Sequence, residues 1–153
     1  MFRTGYVLHR LDVGVLTTPC LGGFDRKTGK FPLDIKTQIE LAFENCEFAL
    51  KDAGGKGFEQ VSHPAHPAFR ARHLSEEDGE EGSSLTSLSL QVYRINSYHL
   101  PLNDEAMAVM ADNFRKYMPN HRPICTCVGV TRLGADDMRV EIEVYAHDPE
   151  GGK

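Results

Sequence analysis

Two cysteines and two glutamates hold the densest potential chemistry of this chain. Cys125 and Cys127 stand two apart, and so, further on, do Glu141 and Glu143. An ionised thiol is a nucleophile and a soft-metal ligand, and a carboxylate at a cleft moves protons near neutral pH. The surrounding residues read as strands, in which alternate side chains share a face. Ile124, Thr126, Val128 and Val130 alternate with Cys125, Cys127, Gly129 and Thr131. Val140, Ile142, Val144 and Ala146 alternate with Glu141, Glu143 and Tyr145. The Gly/Asp-rich break at 133–137 suits a hairpin loop. The expectation is therefore a hairpin over 122–147 whose thiols and carboxylates meet on a face outside the apolar core.

The elements that must position this pair precede it. Residues 6–18 are β-branched and apolar, in keeping with one or two short strands. Residues 19–29 read as a loop, and their paired glycines match no nucleotide-binding pattern. Residues 34–53 read as a helix. Asp34 can cap it, and Ile35, Ile39, Ala42, Cys46 and Ala49 form one apolar stripe with Phe43 and Leu50 beside it. Gly54 and Gly55 stop it. Cys46 lies on the stripe and is read as a core thiol. Strand-like alternation returns over 92–99. A second helix opens at Asn103-Asp104-Glu105, with Met107, Met110, Phe114 and Tyr117 as its core stripe.

Composition bounds the function. The chain has 153 residues, 41% hydrophobic and 25% charged, enough for one soluble domain with a real core. No apolar run is long enough to span a membrane. A net charge of -5, with no basic, aromatic-rich strip, argues against nucleic acid as a partner. Four cysteines without a CxxC pair read as reduced thiols of a cytoplasmic protein. The mildly basic N-terminus leaves a mitochondrial presequence as the other location. Neither Cys125 and Cys127 nor His63, His66 and His73 has the companion ligands of a metal site, so no metal or other cofactor is expected.

Residues 34–55, the turn at 96–104 and the segments 123–134 and 138–146 together resemble the RidA/YjgF family. The resemblance covers residues 22–60 and 92–147. It implies an α+β, chorismate-mutase-like fold with a mixed sheet, two helices packed on one face, and a homotrimer with ligand clefts between subunits. It also implies cofactor-free hydrolysis of enamine or imine substrates to a 2-oxo acid and ammonia. By that resemblance Glu141 and Cys127 are the catalytic positions, and Tyr6 stands where the family has a tyrosine. The family arginine that grips the substrate carboxylate is replaced here by Cys125, and a thiol cannot supply a planar, charged fork. Arg122 is then the candidate substrate-binding cation, arriving from another direction. Turnover of ordinary 2-imino acids is expected to suffer. The alternative is a non-catalytic trimeric binder of a small molecule.

The single domain, 1–153, is interrupted at 61–91 by a Pro-, Ser- and acid-rich segment with no helical or strand period. Removing it joins Gln60 to Val92 and restores the family's helix-to-strand connection. Val61-Ser62 can be encoded as an intron start and Gln91 as an intron end. The segment is therefore read as an insertion foreign to the domain.

Overall fold

The computed structural model describes residues 9–11, 15–55, 57–58, 91–119 and 121–147. Tyr6 and nearly all of the 61–91 insertion lie outside them; Gln91 alone of that segment is described. The elements are β1 (His9–Leu11), β2 (Val15–Thr17), β3 (Leu21–Gly22), α1 (Ile35–Asp52), β4 (Gln91–His99), α2 (Asp104–Tyr117), β5 (Ile124–Gly129) and β6 (Val140–His147). The loop expected at 19–29 thus contains one short strand.

Both helices begin where their caps dictate. The Asp34 carboxylate accepts from the Thr37 N–H, and the Asn103 side chain accepts from the Ala106 N–H. The α1 stripe is core: Ile39, Ala42, Phe43, Cys46, Ala49 and Leu50 are fully buried. The α2 stripe is rotated from the expectation. Ala106, Val109, Met110 and Asn113 face inward, while Met107 is 42% exposed. Small residues at 106 and 109 let α2 lie close to its neighbours, so the bulky Met107 is left outside.

The sheet is mixed, in the order β1-β2-β6-β4-β5, with β3 also paired to β6. β4 runs antiparallel to β6 and parallel to β5. Both helices cover one face, where Ile95 on β4 and Val140, Ile142, Val144 and Ala146 on β6 complete the core. The fold is the expected α+β arrangement.

The expected hairpin is not there. β5 and β6 are not neighbours, because β4 lies between them. A parallel β4–β5 pair requires a crossover, and α2 supplies it. The chain after β5 then passes the end of β4, held by bonds from Val130 N to His99 O and from Leu100 N to Arg139 O, both 2.9 Å. The Gly/Asp-rich break belongs to this passage, not to a tight turn.

Candidate functional site

Register assigns the chemistry to faces. Cys125 pairs with Ile95 and Cys127 with Ser97, which in turn pairs with Ile142. These residues look toward the helices, and Cys127 packs against the core. Glu141 pairs with Tyr98 and Glu143 with Asn96, on the opposite face, which neither helix covers. The thiols and carboxylates expected to meet are therefore separated by the thickness of the sheet. The apolar row of β5 is not core either: Ile124 is 69% and Val128 41% exposed.

The thiol side is a connected cluster. Ser97 Oγ donates to Cys127 Sγ at 3.2 Å, His99 Nε2 lies 3.0 Å from Ser97 Oγ, and Cys125 Sγ lies 3.6 Å from Cys127 Sγ. The hydrogen bond from Cys125, the nearby His99 ring and the hydrogen bond from Ser97 draw the Cys127 thiol down, to about 4. Cys125 is pushed up, because its proton is held in the bond to Cys127 and because it is partly buried. Ser97 and His99 are fully buried. Sequence reasoning passed over both, although their period-two spacing on a strand carried the signal.

Cys125 also lines a cavity of about 520 Å³ at the C-terminal end of α2. Phe114 and Met118 give it an apolar wall, and Arg115, His121 and Arg122 give it polar, cationic groups. Arg122 thus shares a cavity with Cys125. Arg115 bonds to Asp112, whereas Arg122 has no partner among the described residues.

The carboxylate side has a different thiol beside it. Cys20 is raised to about 11 by burial, then by the charges of Glu143 and Glu141. Glu143 accepts from Asn96 Nδ2 at 3.1 Å. Glu141 is half-buried and has no hydrogen-bond partner among the described residues, and burial raises its pKa. A partly desolvated carboxylate without a partner is suited to exchange a proton with a ligand.

Two buried polar residues of α1 hold this side in place. Gln38 Nε2 donates to Asp137 O at 2.7 Å and to Pro32 O, while its Oε1 accepts from Arg139 N at 2.8 Å. It fixes the passage leading into β6 and Glu141. Asn45 Nδ2 donates to Gly22 O at 2.9 Å and Phe24 O at 3.0 Å, fixing the segment that follows Cys20. Gly23 permits the approach, since a Cβ there would lie 1.9 Å from Gln38 O. Their sequence signal is a polar residue on the apolar stripe of a helix.

Among the described residues, no group of three or more His, Cys, Asp or Glu is placed to hold a metal ion. No described helix is long and apolar enough to cross a membrane.

Known structures share this architecture. The YjgF gene product of E. coli is 19% identical, with a TM-score of 0.64, covering 95% of this chain and 90% of its own. E. coli TdcF, solved with bound serine, is 23% identical with a TM-score of 0.61, covering 94% and 88%. A YjgF-family protein of Mycobacterium tuberculosis is 19% identical with a TM-score of 0.56, covering 90% and 81%. No curated protein matches the chain. The family model described as Endoribonuclease L-PSP matches residues 15–148. With that match over most of its length, the chain belongs to the YjgF/L-PSP family.

Proposed function

We propose that this protein is a cofactor-independent hydrolase of enamine and imine C–N bonds, acting in a cleft completed by a neighbouring copy in a homotrimer. The observation that carries the reading is Glu141, a half-buried carboxylate with a raised pKa and no hydrogen-bond partner among the described residues. The sheet supports a second copy in the cleft. Glu141 lies on the face that neither helix covers, while Cys125 and Cys127 lie on the helix side at the edge strand β5. Within one chain these groups cannot act on one ligand. The exposed Ile124 and Val128 on β5 supply the apolar surface that such an assembly would cover.

In this mechanism an enamine first takes a proton on carbon and becomes the protonated imine. Glu141, as carboxylate, then takes a proton from a water molecule as the water oxygen bonds to the imine carbon. Glu141 then passes that proton to nitrogen; as the C–N bond breaks, the new hydroxyl gives its proton to the departing nitrogen, leaving a carbonyl and ammonium. Water supplies the oxygen, and no redox change occurs. Arg122 gives the substrate an anion-binding group in the cavity that Cys125 lines. The bound serine of TdcF supports an amino-acid-sized ligand for the family. Because Arg122 stands in for an arginine at position 125, larger anionic imines are favoured over the smallest 2-imino acids.

Cys125 in place of the family arginine favours a second reading, a trimeric binder without turnover. Ammonia release from a panel of freshly generated imines separates the two. Turnover lost in Glu141→Gln supports the hydrolase. Ligand retention without turnover supports the binder.

A further inference from the structure

We infer that Cys127 and Cys125 form a reversible, peroxide-reacting dithiol site in which Ser97 and His99 are positioning residues. The inference does not rest on the hydrolase reading.

Four side chains converge here from two paired strands. Ser97 points its hydroxyl at Cys127 Sγ from 3.2 Å, and His99 Nε2 stands 3.0 Å behind that hydroxyl. The relay is buried, whereas the thiol it serves is only partly so and its neighbour Cys125 is exposed. His99 Nδ1 has no hydrogen-bond partner among the described residues, so the ring's one bond among these groups is directed at the thiol cluster. A buried histidine bonded on one nitrogen alone is costly in a structural role. Donors aimed at sulfur stabilise the thiolate, which is the form that attacks peroxide. Cys127 is accordingly the thiol of this chain held well below the ordinary range, while Cys20 and Cys46 are raised.

The chemistry closes with a small hydroperoxide as oxidant. The Cys127 thiolate attacks one peroxide oxygen and the O–O bond breaks. The sulfur becomes a sulfenic acid, and the departing oxygen takes a proton and leaves as water or an alcohol. Cys125 Sγ, 3.6 Å away, then attacks the Cys127 sulfur. An S–S bond forms, the S–O bond breaks, and the hydroxyl leaves as water with the Cys125 proton. Two thiols lose two electrons, and the peroxide gains them.

The position on β5 makes the disulfide reversible. Residues two apart on a strand have Cα atoms about 6.6 Å apart, near the upper limit for a disulfide. Closure must bend the strand. Among the described strands β5, six residues long, is an edge strand paired only to β4, so it can bend without breaking a second described ladder. A bond made under strain is readily reduced.

The test uses the full chain with hydrogen peroxide. Intact mass should fall by about 2 Da, map to the peptide holding 125–127, and return with a thiol reductant. Cys125→Ser should stop at a sulfenic acid on Cys127 that dimedone traps. At pH 6, iodoacetamide should modify Cys127 at least about tenfold faster than Cys20, since thiolate fraction outweighs intrinsic nucleophilicity. Ser97→Ala, a small change whose folding is checked by circular dichroism, should move the pH midpoint of Cys127 alkylation upward. Oxidation of Cys20 ahead of Cys127 would overturn the site. An unchanged alkylation profile in folded Ser97→Ala would overturn the positioning role.

Discussion

Cys127 and Glu141 sit on opposite faces of one sheet, and β4 separates the strands that carry them. This relationship turns two reactive groups of one chain into two half-sites. One contains the thiols and Arg122 beside the end of α2, and the other contains Glu141, Glu143 and Cys20. In the proposed cleft, a ligand touching both halves draws on two copies of the chain.

Glu141→Gln should lower imine hydrolysis by about 10²- to 10⁴-fold, the usual contribution of a positioned proton-transfer group. The variant should be at least as stable as the parent at neutral pH. The folded pKa of Glu141 is raised, so its ionisation opposes folding as pH rises through that value, and glutamine removes the penalty. The activity of the parent should rise with pH through a midpoint above the ordinary glutamate value. Ammonia release across pH and a thermal melt check both statements.

Cys125→Arg should raise turnover of the smallest 2-imino acids. Loss of a charged, bidentate contact costs on the order of 2–5 kcal/mol, or roughly 30-fold to several thousand-fold in rate. Arg122→Ala should lower kcat/KM for larger anionic imines and leave uncharged ones unaffected. Steady-state kinetics on paired substrates reads the difference.

Gln38→Ala should destabilise the fold by about 3 kcal/mol, because three hydrogen bonds of a fully buried side chain are lost at about 1 kcal/mol each. The melting temperature should fall by roughly 10 °C. Added glutamine side-chain analogues cannot restore it, since the site is fully buried.

Deleting residues 61–91 should give a protein at least as stable as the full chain. Gln91 heads β4 opposite His147, and the deletion puts Gln60, an identical residue, in its place. Shortening a connection also lowers its closure entropy, by about 0.6 kcal/mol for each halving. Denaturant melts of the two forms check this, and sequencing of mature transcripts across codons 60–92 shows whether both are made.

Periodicity made the helices legible: both caps and nearly the whole α1 stripe follow from spacing alone. The strands 124–129 and 140–147 were legible too, and so was which residues share a face on each. Their pairing was not. Alternation records which way a side chain points relative to its own strand and carries no information about the strand inserted alongside. The same limit hid the site. Ser97 and His99 gained meaning only when the parallel β4–β5 register set Ser97 beside Cys127. The inward turn of α2 was missed because Met107 outweighed the smaller Ala106 and Val109 in the apolar pattern, although small residues permit the closest packing.

Mixing two inactive variants tests the shared cleft most directly. The assembly is expected near 51 kDa, about three times the 17.1 kDa chain. Glu141→Gln and Arg122→Ala each spoil one half-site and spare the other. When the two are unfolded together and refolded at equal amounts, random assembly should restore about a quarter of the parental clefts and a corresponding share of activity toward a large anionic imine. A mixture no more active than its separate components, under conditions where the parent refolds with full activity, would contradict a cleft built from two chains.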